Sequence, residues 1–437
     1  MITTLMLQDV RTFTGRHEIT IKPLTLLVGE NSTGKTTIMA MLSAVLDPNG
    51  FPTRPAFNKA PYDLGSYDTI ATYKGGKYGR AKRFVLGRRS TIEHRPVSAT
   101  STYINAGGEP ELARFEIQRD GSSLEVDFQA NTVLVRSTSK GEAFVYKASL
   151  SAQKQLSRDR LLMIGGGVFS IRMLVVNVIK RNQRALRVVD NLVLSSGMLY
   201  GAPGDSLRDA VSLAPVRTRP RRTYDVLAEG FEPEGDHVPA VLARALRSTS
   251  PENERLRSQL RGFGHEAGLF EDLAVKRLGK RPGDPIQILV EGTGRAANLI
   301  DVGYGVSQAL PIVVQTAVVG GRSILLLQQP EVHLHPKAQA AMGTYFAQMV
   351  ARDEAHFVIE THSDYLVDRI RQEVAIGTLS PKDIALIFLE RDGVVTRTHS
   401  IELDRRGNVT NAPLSYRRFF MEEELRIMHR SPVKRVK

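Results

Sequence analysis

One stretch near the start constrains this chain more than any other: Gly29-Glu-Asn-Ser-Thr-Gly34-Lys35-Thr36-Thr37, set between an apolar, β-leaning run at Leu24–Val28 and a helix-like run at Thr36–Leu46. Its spacing is Gly-x-x-x-x-Gly-Lys-Thr, with strand and helix where that spacing demands them. The two glycines let the backbone wrap so that its N–H groups converge on anionic oxygens, and the helix N-terminus adds partial positive charge. Lys35 is expected to reach the β- and γ-phosphates of a nucleotide, and the Thr36 hydroxyl to hold Mg²⁺. Gly29, Asn31, Ser32, Gly34, Lys35, Thr36 and Thr37 form the expected phosphate-binding set. Such a unit belongs to α/β folds.

A phosphate loop alone does not choose among kinases, GTPases, motors and transporter-type ATPases. Three later segments do. Gly303-Tyr-Gly305-Val-Ser307-Gln308 opens a loop-then-helix pattern running to Val319. Ile324–Leu327 reads as a buried strand whose tip is Gln328-Gln329-Pro330-Glu331. Val358-Ile359 reads as another, ending in Glu360-Thr361-His362-Ser363-Asp364. Ligand sites of open α/β sheets lie at such strand tips. Each segment is weak by itself; the ordered set is strong.

That set resembles the RecF/SMC/OLD branch of ABC-type ATPases, the stand-alone bacterial type labelled AAA-15 or AAA-21. Leu5-Met-Leu7-Gln-Asp9-Val-Arg11-Thr-Phe13-Thr-Gly15 resembles its first strand, and Asp301-Val-Gly303-Tyr-Gly305-Val-Ser307-Gln308-Ala-Leu310-Pro311 its signature segment. Gln329-Pro330-Glu331-Val-His333-Leu-His335-Pro336 is similar to its Walker B region, and His362 to its switch histidine. Leu64–Asp68 and Ala214–Tyr224 are lesser matches. The resemblance runs nearly end to end, weakest over 90–200 and 230–285.

The resemblance implies a mechanism. Two protomers sandwich ATP, one offering Lys35 and Thr36, the other Gly305, Ser307 and Gln308. His362 bonds the γ-phosphate, and a carboxylate at the Walker B tip positions water. Members of this branch usually carry an acid at the position of Gln328; here Gln328 and Gln329 are both amides. An amide can orient water but cannot take its proton, and it holds Mg²⁺ more weakly than a carboxylate. The expected metal ligands are Thr36 and Gln328, the expected catalytic groups Gln329, Glu331 and His362, and the cofactors ATP and Mg²⁺. Glu331 is the nearest replacement acid. Because phosphoryl transfer depends chiefly on positioning and electrostatics, slow turnover and a long-lived ATP-bound dimer are expected.

The expected fold is α/β: a P-loop ABC-type ATPase core of mixed sheet flanked by helices, with an inserted antiparallel-β plus helical lobe. The core is placed at 1–105 and 285–437 and the lobe at 106–284. Alternation over 112–148, with a turn at Asp120-Gly121, predicts antiparallel strands. Residues 203–263 read as mostly helical, broken at Gly230–Pro239 and Pro251. Late strands are expected at Lys382–Leu389 and Val394–Ile401, then a helix at Arg417–Met428. No sustained heptads occur, which argues against a long coiled coil.

The chain holds 437 residues, enough for one large domain or two, and no cysteine, which rules out disulfides and thiolate chemistry. No run of about 18 apolar residues and no secretory-type leader is visible, so a cytoplasmic protein with no membrane partner is expected. The net charge of +13 calls for an acidic partner or a basic face. Basic residues gather at Lys180–Arg187, at Arg217/Arg219/Arg221/Arg222, at Lys276–Arg281 and in the tail from Arg430. A solvated surface accounts for any one of them equally well. The second is stiffened by proline and could reach a nucleotide, pin the lobe or contact DNA or RNA. With no Trp and 12 Tyr, a base-stacking platform is not indicated. His333, His335, His356 and His362 could suggest a metal site, but the motif claims His362 and serves no metal at His333 and His335.

OLD nucleases carry a C-terminal Toprim domain after the ATPase; with about seventy residues following His362, no such domain is expected here. Three readings follow. The first is a homodimeric or larger nucleotide-gated sensor or scaffold for a separately encoded effector, a nuclease or toxin, in anti-phage defence. The second is a RecF-like DNA-repair ATPase acting directly on DNA. In the third, ATP is purely structural.

Overall fold

The computed structural model describes residues 3–149, 167–179, 209–225 and 230–418, with breaks at 48, 77–78, 93–94, 130–131, 140–141, 248–249 and 282, together with 183, 186 and 187. The expected helix beyond Arg417, the basic tail and most of the Lys180–Arg187 cluster lie outside the described residues.

Two sheets organise the chain. The first is antiparallel, ordered β2-β1-β4-β5-β6-β7-β8-β9. Its strands are β1 (Thr3–Val10), β2 (Phe13–Ile21), β4 (Arg83–Ile92), β5 (Arg95–Ala106), β6 (Glu109–Arg119), β7 (Ser122–Gln129), β8 (Thr132–Ser139) and β9 (Glu142–Ser149). Burial alternates along β7 and β8, as one covered and one solvated face require. Asp120 and Gly121 join β6 to β7 with φ of 50° and 72°, the two left-handed positions of a tight hairpin turn.

The second sheet runs β10-β14-β15-β3-β16-β17. It contains β3 (Leu24–Gly29), β10 (Asp209–Leu213), β14 (Ser323–Gln328), β15 (His356–Glu360), β16 (Ile384–Asp392) and β17 (Val395–Ile401), all parallel except β17. Ser-Ile-Leu-Leu-Leu-Gln and His-Phe-Val-Ile-Glu are near-continuous apolar runs because this sheet is covered on both faces. Helix α1 (Lys35–Leu46) lies between the two sheets with ten of its residues buried, which is why it is apolar all round.

The other face carries α3 (Val238–Ala245), α4 (Pro251–Ala267), α5 (Tyr304–Val319), α6 (Pro336–Ala351) and α7 (Asp364–Ala375). A further helix, α2, spans Gly167–Ile179. Helix α4 starts on Ser250, whose side chain accepts from the Asn253 N–H, with Pro251 at its first position; it stops at Gly268, φ 66°. A small sheet of β11 (Asp272–Arg277), β12 (Ile286–Glu291) and β13 (Ala297–Asn298) leads into α5. The longest helix among the described residues has 17 residues.

Two expectations change. Antiparallel strands begin at Arg83, not near 112, and extend the hairpin made by β1 and β2. Within 203–263 the described residues before Val238 are strand or irregular, and only 238–245 and 251–267 are helical. Within the stretch 106–284, β6–β9 continue the first sheet and β10 pairs in parallel with β14 in the second. Five residues at a sheet edge, Asp-Ala-Val-Ser-Leu, carry little periodicity; their pairing partner more than a hundred residues away defines them.

Candidate nucleotide site

The strand order fixes which tips meet. At their C-terminal ends, β10, β14, β15 and β3 present, in turn, the segment holding Arg217, the Gln328–Glu331 turn, Glu360–His362 and the phosphate loop.

Phosphate-loop geometry follows from its glycines and from the strands beneath it. Gly29 has φ 139°, and a Cβ there would overlap the Leu389 carbonyl on β16; Gly34 has φ 96°, with the Phe13 ring 2.8 Å from where its Cβ would stand. Both positions need glycine. Thr33 Oγ1 donates to the Glu30 carbonyl at 2.9 Å, and Thr396 Oγ1 on β17 donates to the Thr33 carbonyl at 2.9 Å, bracing the loop from below. Lys35 is buried and its Nζ donates to the Gly29 and Glu30 carbonyls at 3.0 and 2.6 Å. Burial pulls the Lys35 ammonium below its ordinary range, opposed by Glu360 and Glu30. Asn31, Ser32 and Thr36 are exposed, while Thr37 is buried in α1.

The residue that sequence reasoning left without a role is Glu360. It ends β15, the direct neighbour of the phosphate-loop strand, and its Oε2 accepts the Thr36 hydroxyl at 2.8 Å. Burial pushes this carboxyl above its ordinary range, against the Thr36 bond and the Lys35 charge. Gln328 ends β14 in register with Glu360, one strand farther from the loop. The donor set of a threonine hydroxyl and a carboxylate, beside a lysine and converging amides, fits a hard cation carried on a phosphate chain. Thr36, Glu360 and Gln328 would hold such a cation, which supplies positive charge against the phosphate oxygens.

Gln329 takes a left-handed conformation, φ 44°, and its N–H donates to the Glu360 carbonyl at 2.8 Å, folding the β14 tip over the β15 tip. Glu331 is buried and its Oε1 accepts the His362 N–H at 2.7 Å. Burial raises the Glu331 carboxyl, countered by that bond and by Arg217. His362 reaches the surface at the site, and partial desolvation of its ring, together with the Lys35 charge, lowers it, favouring neutral imidazole. A cleft of about 700 Å³ opens here, lined among others by Gly29, Glu30, His362, Asp364, Phe388 and Arg417.

The basic cluster is not the free cationic surface that its composition suggests. Arg217 is 2 % exposed; its Nη2 donates to the Gln328 carbonyl at 3.4 Å, and Nε and Nη1 have no hydrogen-bond partner among the described residues. Burial pushes its guanidinium down to about 10, opposed by Glu331. Arg222 forms a two-pronged pair with Asp301, at 3.0 and 2.7 Å, and Arg221 pairs with Asp236. Only Arg219 of the four is exposed without an ion pair among the described residues. A nucleic-acid contact through Arg217 is excluded by burial, and Arg222 instead ties its segment to the start of the signature region.

The signature residues border this segment, Ser307 lining a small pocket with Arg219 and Pro220. Ser307 and Gln308 lie in the first turns of α5 and are buried; Ser307 Oγ donates to the Tyr304 carbonyl at 2.8 Å. Gly303 and Tyr304 are exposed, and Gly305 is half-buried against the His333 carbonyl and Leu334. The four histidines do not converge. The His333 ring meets Tyr304 at 5.2 Å, His335 caps α6, and His356 sits at the opposite end of β15 from His362. Among the described residues no group of three or more His, Cys, Asp or Glu is placed to hold a metal.

Two family models match the chain: the P-loop containing region of AAA domain over residues 2–63, and the AAA ATPase domain over residues 252–367. No curated protein matches it. Among solved structures, an SMC head bound to the C-winged helix domain of ScpA aligns with TM-score 0.46 and 11 % identity, over 92 % of this chain and 98 % of that one. The SMC head domain from Thermotoga maritima aligns with TM-score 0.37 and 12 % identity, over 92 % and 99 %. An SMC head with extended coiled coil from Pyrococcus furiosus aligns with TM-score 0.39 and 12 % identity, over 97 % and 99 %. These likenesses are too distant to carry argument. The family matches cover the motifs: the phosphate loop lies in the first, and the signature helix, the β14 tip and His362 lie in the second. With those motifs in that order on this sheet, residues 2–63 and 252–367, together less than half of the chain, match P-loop ATPase domains of the AAA type.

Proposed function

We propose that this protein binds ATP, hydrolyses it slowly, dimerises around it, and serves as sensor or scaffold for a separately encoded effector, a nuclease or toxin, in bacterial anti-phage defence. The observation that carries slow turnover is the β14 tip. It offers two amides, Gln328 and Gln329, and its one acid, Glu331, is buried and already bonded to the His362 N–H. The other oxygen of Glu331, Oε2, is buried without a hydrogen-bond partner among the described residues, so the tip's one acid is shut away from solvent and hydrolysis rests chiefly on positioning and on the charges around the phosphates.

Each protomer contributes two surfaces. Lys35, Thr36 and neutral His362 face the nucleotide of their own chain. The N-terminus of α5 is exposed at Gly303 and Tyr304, and its first-turn amides are suited to a phosphate held by a second copy. In this arrangement those amides, rather than the buried Ser307 hydroxyl, meet the phosphate. No described helix is long and apolar enough to cross a membrane, and we place the protein's action in the cytoplasm. The defence role and the effector rest on the resemblance alone.

The test is ATP turnover of the purified protein, with mass by light scattering with and without ATP and Lys35→Ala as blank. Assembly on ATP with turnover below roughly one per minute, against a common enzyme rate of about 10 per second, is expected. Turnover at an ordinary rate, lost in Gln329→Ala and untouched in Glu331→Gln, would overturn the reading. A full immune effect from this chain alone would remove the effector.

A second reading, action directly on DNA, is favoured by the net charge of +13 and by the exposed Lys276, Lys280 and Arg281. DNA-stimulated turnover, with affinity falling steeply as salt rises, would select it.

A further inference from the structure

The acid missing from β14 has a counterpart one strand away. Glu360 is 7 % exposed and Gln328 5 % exposed, and the two are paired in register at the ends of adjacent parallel strands. Both lie on the sheet face that meets α1: Ile324 and Leu326 on β14 and Val358 on β15, at alternate positions, belong to the core cluster containing α1. The row running from Gln328 through Glu360 to Thr36 thus contains a single carboxylate, and the Thr36 hydroxyl donates to it at 2.8 Å. Since β15 and not β14 borders β3, the end of β15 is the closer place from which an acid can reach Thr36.

We propose that Glu360 is the carboxylate that anchors the magnesium ion of the bound nucleotide at Thr36, the charge having moved one strand inward from position 328. This rests on the ATP-binding reading above. The exchange explains the amide at 328. Two buried carboxylates side by side, with Lys35 the cation whose charge acts on Glu360, would repel until one took up a proton. An amide there removes that repulsion and leaves Glu360 as the one carboxylate that orients Thr36 and the ion's water shell. Gln328 is then no defect in the site. It is the neutral neighbour that a carboxylate at 360 requires.

The experiment uses the full chain and a fluorescent ATP analogue, titrated with Mg²⁺ and in excess EDTA, alongside Mn²⁺ binding followed by electron paramagnetic resonance. Glu360→Gln, Gln328→Glu and the double exchange are compared, with thermal melts to show that each is folded. Glu360→Gln is expected to weaken Mg²⁺-dependent nucleotide affinity and Mn²⁺ binding by about 10-fold or more while leaving affinity in EDTA unchanged. The double exchange, which returns the acid to β14, is expected to recover most of the loss. Equal weakening with and without Mg²⁺ would make Glu360 a structural tie between β15 and α1 and overturn the proposal. So would retention of full Mg²⁺ dependence in Glu360→Gln, or a folded double exchange as weak as the single variant. If the unaltered protein bound no nucleotide in either buffer, the ATP-binding reading would itself have failed, and this inference with it.

Discussion

The two sheets share one helix, α1, yet divide the work completely. The parallel sheet is covered on both faces and ends in every group of the candidate site. The antiparallel sheet has one solvated face, where charged side chains pair across strands: Arg114 with Glu125 at 2.7 Å, and Arg89 with Glu18 at 3.1 Å. In the first, carboxyls are buried beside too little positive charge and are pushed upward, as at Glu331 and Glu360. In the second, Glu18 is drawn downward, first by its bond to Arg89 and then by that to Arg16. A group held against its ordinary ionisation marks a site; a group relaxed into it marks a surface.

Truncation tests the contrast most strongly. Phe357 on β15 is fully buried and packs on Phe346 of α6 at 4.7 Å between ring centroids. Phe357→Ala is expected to cost about 3–5 kcal/mol in urea denaturation. Val145→Ala on β9, at a position 63 % exposed, should stay within about 0.5 kcal/mol. Equal costs would break the distinction between the two layers.

Next comes ligand binding. Lys35→Ala is expected to weaken ATP affinity about 100-fold, near 2.7 kcal/mol, measured by calorimetry. Arg114→Ala on the solvated face should leave that affinity unchanged. A comparable loss from both would put phosphate binding on the wrong sheet.

Charge removal should then act with opposite signs. Glu360 has a raised carboxyl in the folded state, so its contribution is most favourable at low pH and is lost as pH rises through the folded value. Glu360→Gln is therefore expected to melt about 1–3 °C higher than the unaltered protein at pH 7.5. That gap should close as pH falls toward the ordinary glutamate value near 4.3, where the unaltered side chain is also neutral. A lower melting point at pH 7.5 would mean that the carboxylate form stabilises the fold.

The smallest effect belongs to Glu18. Its lowered carboxyl contributes stability above the ordinary glutamate range and loses it as pH falls through the folded value. At a side chain 36 % exposed, screening limits the loss in Glu18→Gln to about 0.5 kcal/mol at neutral pH and low salt. An increase in stability would erase the difference between the sheets.

Legibility of the sequence followed the same division. The phosphate loop, β3, β14, β15, the late strands and α5 were readable because apolar runs and glycine spacing are local. The Asp120-Gly121 turn was readable for the same reason. The strands β4 and β5 were missed, since their covered faces are mixed with Ser, Thr and Arg; even Arg88 is buried in β4. Arg217 was grouped with Arg219, Arg221 and Arg222 because composition cannot tell which of four arginines in one proline-rich segment faces inward. Glu360 was visible as a strand-end residue, but its contact with Thr36 spans 324 positions, and no local signal crosses that distance.

By itself the sequence determined the phosphate loop, the order of the motifs and the presence of buried parallel strands. Glycine spacing and apolar runs act over a few residues and bias the backbone directly. Only the tertiary structure decided that β15 lies between β14 and β3. That adjacency brings Glu360 to Thr36, sets Gln328 beside Glu360, and buries Arg217 against the β14 tip. The physical reason is that strand order is a choice among long-range pairings. It is made by the burial of two complete faces at once, which no single segment encodes.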